Sequence, residues 1–254
     1  MKQASLIFIF LVSPLLCLKA QDSVEKIISL IKKSKSIDLV QKHIGSAGHF
    51  RFWNLTRRKI DGGHEQLICA GDYNMLLQQD DKGIYLAVIT RTLYSKTKDS
   101  ILNILFEIIP SRFNRFAAIH DSIYHSVTSS LSYKHFIANR YGVACGSSAE
   151  QTPAIRQMVS FVKEYDTSSL RNWICDNDYE KKIIGATGLL ILERKGMTLN
   201  NDDVAKIEHL RNLNLPIMYC HGCTVWQPES SGDLLNEKSI SYCISIWDYI
   251  QSSD

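Results

Sequence analysis

The sequence predicts a mainly α-helical fold: an irregular array or bundle of helices, with one short irregular or β excursion near residues 48–70 and an irregular C-terminal tail. Three observations predict it. Apolar residues recur at spacings of three and four along most of the chain, the period of a helix face. The strict alternation of a half-buried strand is weak outside residues 48–70. Residues 168–213 carry three amphipathic segments punctuated by helix-starting and helix-stopping residues.

At the start, Met1 and Lys2 precede an apolar run from Leu6 to Leu18, broken only by Ser13 and Pro14, and Lys19-Ala20-Gln21 ends it. This is the pattern of a secretory signal peptide cut after Ala20, so residues 1–20 are expected to be removed and residues 21–254 to form one exported domain. The run is too short for a transmembrane helix, which needs roughly 20 apolar residues. Leu18 is larger than the small residue preferred at its position relative to that cut. Leu16 likewise argues against lipidation at Cys17. The chain holds 29 Lys and Arg against 26 Asp and Glu, a net +3, and loss of Lys2 and Lys19 brings it to +1. That balance argues against a nucleic-acid partner held by counterion release.

Ser23 begins a helix with Val24, Ile27, Ile28 and Ile31 on one face, and Ile37 to Ile44 makes a second, stopped by Gly45. Between Gly45 and Gly63 the pattern changes. Phe50, Phe52, Trp53, Leu55 and Ile60 alternate with Arg51, Arg57, Arg58 and Lys59, a composition that suits either a solvated edge or an anion-binding surface. Asn54-Leu55-Thr56 has the form of an N-glycosylation acceptor. Residues 85–94, 99–109 and 114–141 read as three more helices. His120, His125 and His135 fall in the last without the i, i+4 spacing of a helical metal site.

Gly142 to Glu150 reads as a loop ahead of another helix, with Cys145 near its N-terminus, where a thiol can become reactive. In the 168–213 stretch, Ser168 or Ser169 caps a short helix and Asp176-Asn177-Asp178 breaks it. A long helix follows, with Gly185, Ala186 and Gly188 allowing close approach of a neighbour. Gly196 stops that helix and Asn200 or Asn201 caps the third. The tail, residues 214–254, holds Cys220-His221-Gly222-Cys223, which suits a disulfide, a redox pair or half of a zinc site. Six cysteines remain beyond Cys17, an even number in an exported chain, and structural disulfides are the expectation. Ile240 to Ile250 closes the chain as a helix.

The short helix, Asp/Asn break, long helix with a small-residue centre and glycine stop of residues 168–196 resemble one unit of a HEAT-like or armadillo-like α-solenoid. Residues 75–93 offer a degenerate second copy, with Ile84, Ala87 and Leu93 in the places of Ile183, Ala186 and Leu192. The Cys-Gly-Ser triplet at Cys145 is also similar to the start of the papain family's motif, but Ser148 and Ala149 depart from it. That likeness implies a downstream histidine, for which His209 and His221 are available. The solenoid resemblance implies an elongated face for a protein or peptide partner. No nucleophile, base and orienter stand at a familiar spacing, and nothing calls for a cofactor or metal. The expectation is therefore an exported, non-enzymatic interaction or structural module. The alternative is a thiol-dependent enzyme, hydrolase-like at Cys145 or redox-active at Cys220 and Cys223.

Overall fold

The computed structural model describes residues 25–33, 36–46, 54–70, 73–93, 100–135, 141–145, 151–222 and 227–251. The signal-peptide segment, Ser148, Ala149 and Cys223 lie outside them.

Two sharp turns set the N-terminal half. Asp61-Gly62 joins β1 (Asn54–Ile60) to β2 (Gly63–Ala70), with Gly62 at φ 82°, as a two-residue hairpin demands. Asp81-Lys82 joins β3 (Tyr73–Asp80) to β4 (Gly83–Leu93), with Gly83 at φ 111°. With β5 (Ser100–Ile108) these strands form a five-stranded antiparallel sheet in sequence order.

Both faces of this sheet are covered. Met75, Leu77, Ile84, Ala87 and Ile89 pack with Ile27, Ile31, Ile37 and Val40 of α1 (25–33) and α2 (Ile37–Ser46). Leu76, Tyr85, Leu86 and Val88 face the larger core on the other side. A strand buried on both faces loses its polar alternation. The result corrects the sequence reading: residues 85–94 and 99–109, expected as helices, are strands β4 and β5. The supposed second solenoid copy, 75–93, is the β3–β4 hairpin.

The C-terminal half begins with α3 (Pro110–Tyr124), where Pro110 opens the first turn. Its end at Tyr124, with His125 left-handed at φ 52°, shortens the long helix expected to Tyr141, and a 3-10 turn (Ser130–His135) follows. Then come β6 (Tyr141–Cys145), α4 (Pro153–Lys163), α5 (Thr167–Ile174), α6 (Tyr179–Arg194), α7 (Asn201–Leu213), β7 (Pro216–Gly222), β8 (Gln227–Ser230), α8 (Ser231–Leu234) and α9 (Glu237–Gln251). β6 and β7 pair in parallel and β8 adds antiparallel to β7, a second sheet of three strands.

The three helices of 168–213 form where the sequence places them. Asp178 caps α6 and Asn200 caps α7, but α5 is capped by Asp166 rather than by a serine. The small residues of α6 do admit a neighbour. A Cβ on Gly185 would lie 2.8 Å from the Leu170 carbonyl, and one on Gly188 would lie 2.5 Å from Leu170 Cδ2. These helices pack against the sheets in one core with Ile60, Tyr85 and Phe116 rather than stacking as a repeat array. The chain is a mixed α/β fold, not a mainly α solenoid or bundle.

Candidate functional site

The basic run of β1 disperses on folding, and each residue meets a different environment. Arg57 pairs with Asp38 of α2. Arg58 turns inward, 4% exposed. Its Nε and Nη2 donate to Glu65 Oε1 at 2.9 and 2.6 Å, and Nη1 and Nη2 reach the two oxygens of Glu180 on α6 at 2.7 and 2.9 Å. Gln78 Nε2 donates to the remaining oxygen of Glu65 at 2.8 Å. Burial opposes the Arg58 charge, but Glu180 and Glu65 more than offset it, so its pKa rises. Lys59 stays exposed.

The turn beyond Lys59 is held just as firmly. The Tyr179 hydroxyl donates to Asp61 Oδ2 at 3.1 Å, and His209 Nε2 of α7 lies 3.1 Å from Oδ1. Burial works to raise the Asp61 pKa, but the bond to His209, its charge and Tyr179 win, and the carboxyl sits below its usual range. At the neighbouring turn, Asp80 takes Arg112 of α3 on both oxygens, and Arg112 also reaches the Gly83 carbonyl. The tips of both hairpins are therefore fixed to helices.

Between these tips and α3 opens a cleft of about 590 Å³. Ile60, Tyr85 and Phe116 give it an apolar lining; Lys59, His64, Asp80, Asp81, Arg112 and Arg115 supply its titratable groups. Arg112 and Asp80 neutralise each other. Among the described residues, no acidic side chain pairs with Lys59 or with the exposed Arg115. Two uncommitted cations thus face one uncommitted carboxylate, Asp81, with His64 beside them. The size is that of a ligand-binding cleft, and fixed walls reduce the ordering cost of binding.

Behind the turn lies a fully buried pair of bases. Lys182 Nζ is 2.7 Å from His120 Nε2, 3.3 Å from the Ile174 carbonyl and 3.1 Å from the centre of the Tyr124 ring. Burial drives the Lys182 pKa down to about 7. Burial and the Lys182 charge drive His120 down to about 4. Both are closed off from solvent, Lys182 at 0% and His120 at 1% exposed.

A disulfide of the kind expected of the chain is present. Cys145 of β6 and Cys220 of β7 form a disulfide, with Cα atoms 5.5 Å apart. Neither is then a free thiol in this state, and Cys220 is joined to Cys145 rather than to Cys223. Cys175, half-buried, and Cys243, buried, are free. Asn54, the sequon residue, is the first residue of β1 at the sheet edge. Among the described residues no cluster of three His, Cys, Asp or Glu is arranged to share a metal ion, and no helix is long and apolar enough to cross a membrane. Lys59 was legible as an exposed cation; Arg112 and Arg115 were not, although the Asp-Gly turn and Pro110 are the signals that bring them beside it. Comparison with family models, curated proteins and solved structures finds no match to this chain.

Proposed function

We propose that the protein is an exported, non-enzymatic interaction module whose cleft between the β1–β2 turn, the β3–β4 turn and α3 receives an acidic segment of a protein partner. The observation that carries this reading is the pair of uncommitted cations, Lys59 and Arg115, over an apolar lining in a 590 Å³ cleft. Carboxylates of the partner pair with these cations. Asp81 on the rim repels a continuous polyanion, so the cleft selects a locally acidic segment over nucleic acid. Export is supported by the signal-peptide pattern and by the Cys145–Cys220 disulfide, a bond that persists in oxidising compartments.

Isothermal titration calorimetry tests the reading with a short peptide carrying two glutamates beside a leucine and with its glutamine analogue. The glutamate peptide should bind, with affinity that falls as salt rises, and the glutamine analogue should bind at least tenfold more weakly. Equal affinity for the two, or no binding of either, would reject it. The thiol-enzyme alternative is separated by brief iodoacetamide treatment near pH 6. A binder shows no preferentially alkylated cysteine; a thiol reacting much faster than free cysteine would transfer the function to catalysis.

A further inference from the structure

We infer that a second cleft, where β7 and β8 meet α8 and α9, binds an organic cation, either an ammonium or a guanidinium group. The cleft measures about 320 Å³ and is remote in the chain from the acidic-segment site. Its walls are aromatic. Tyr219 and Tyr242 line it, and the buried Tyr141 ring backs Tyr219, the two rings 5.8 Å apart at 41°. Its mouth is acidic. Glu229 and Asp233 are exposed, and among the described residues neither is paired with a cation. Lys238 is the single cation of the lining, against these two carboxylates.

Aromatic faces and carboxylates attract an organic cation together, and the attraction grows as the site excludes water. Burial, the neighbouring Cys243 and Tyr242, and the Glu229 carboxylate push the Tyr219 phenol up to about 12, so it remains neutral in a wall facing the cation. The carboxylate of Asp233 stands on a fixed backbone. Its N–H donates to Ser230 Oγ at 3.4 Å, and its carbonyl accepts from Ser239 Oγ at 2.7 Å. The volume suits the end of an arginine or lysine side chain, or a free amine of that size. Either source presents the same group.

Nα-acetylated arginine amide and Nα-acetylated citrulline amide are the probes, called arginine amide and citrulline amide below, because acetylation removes the α-ammonium and the two then share a shape and differ only in the side-chain charge. Calorimetry should show saturable binding of arginine amide and at least tenfold weaker binding of citrulline amide. Glu229→Gln/Asp233→Asn, two exposed substitutions, should weaken arginine amide at least tenfold and leave the glutamate peptide's affinity unchanged. Tyr219→Leu should weaken it by a smaller factor. If an arginine-containing peptide binds with the same dependence on Glu229 and Asp233 while the free amide does not, the source of the cation is a protein side chain. No saturable binding of amide or peptide, or equal binding of arginine and citrulline forms, overturns the inference.

Discussion

Arg58 and Lys182 are buried charges with opposite energetic consequences. Arg58 has two carboxylates within hydrogen-bond reach, so its loss leaves Glu65 and Glu180 buried without a cation. Arg58→Ala is expected to cost roughly 3–5 kcal/mol in urea unfolding, the range for breaking a buried pair from one side. A double-mutant cycle with Glu180→Ala should show strong non-additivity, because the two residues share one network. Lys182 instead touches a second base and an aromatic face. Its pKa falls from 10.5 to about 7, so between those values the unfolded chain binds the proton that the folded chain releases. The penalty is complete below pH 7 and fades as pH rises toward 10.5, by at most about 1.4 kcal/mol per pH unit. Urea midpoints of the wild type should therefore gain on those of Lys182→Met as pH rises above 7. A constant difference from pH 6 to 9 would show that Lys182 keeps an ordinary pKa.

At the scale of elements, the close contact of α5 with α6 gives an ordering of two similar substitutions. Alanine for glycine normally stabilises a helix interior by about 1 kcal/mol. At Gly185 the added Cβ meets the Leu170 carbonyl and Trp173 Cβ, each at 2.8 Å, which cannot move without shifting α5. At Gly188 it meets Leu170 Cδ2, the mobile end of a side chain. Gly185→Ala should therefore lower the melting temperature more than Gly188→Ala; the reverse order would contradict the packing described.

The α5–α7 helices were legible because their caps and stops are local: Asp178, Asn200 and Gly196 act within one turn of their own chain. The sheet was not, although Asp61-Gly62 is a strong hairpin signal. Ile84 to Ile89 are buried on both sides by residues more than twenty-five positions away, such as Ile31 and Phe116, and a continuous apolar run has no period that separates strand from helix. The β-branched residues Ile84, Val88, Ile89, Thr90 and Thr92 were the remaining clue. Without the sheet, the readings left were a helical solenoid or a helical bundle, and the cleft could not be seen, because two strand turns and a helix build it.

For the whole molecule, two bonds between distant segments define the architecture. Arg58 joins the five-stranded sheet to α6, and Cys145–Cys220 closes the crossover that carries α4 to α7 between β6 and β7. A disulfide spanning 75 residues constrains the unfolded chain strongly. Its reduction, or Cys145→Ala/Cys220→Ala, should lower stability by about 2–5 kcal/mol in denaturant titration. The same architecture brings both turns of the sheet to one end beside α3, where the proposed docking cleft lies. Amide chemical-shift mapping of the labelled protein during titration with the two-glutamate peptide tests that claim most directly. Shifts should concentrate at residues 59–64, 79–82 and 112–116 and be abolished in Lys59→Glu/Arg115→Glu. Shifts that cluster elsewhere, or that persist in the charge-reversed variant, would contradict it.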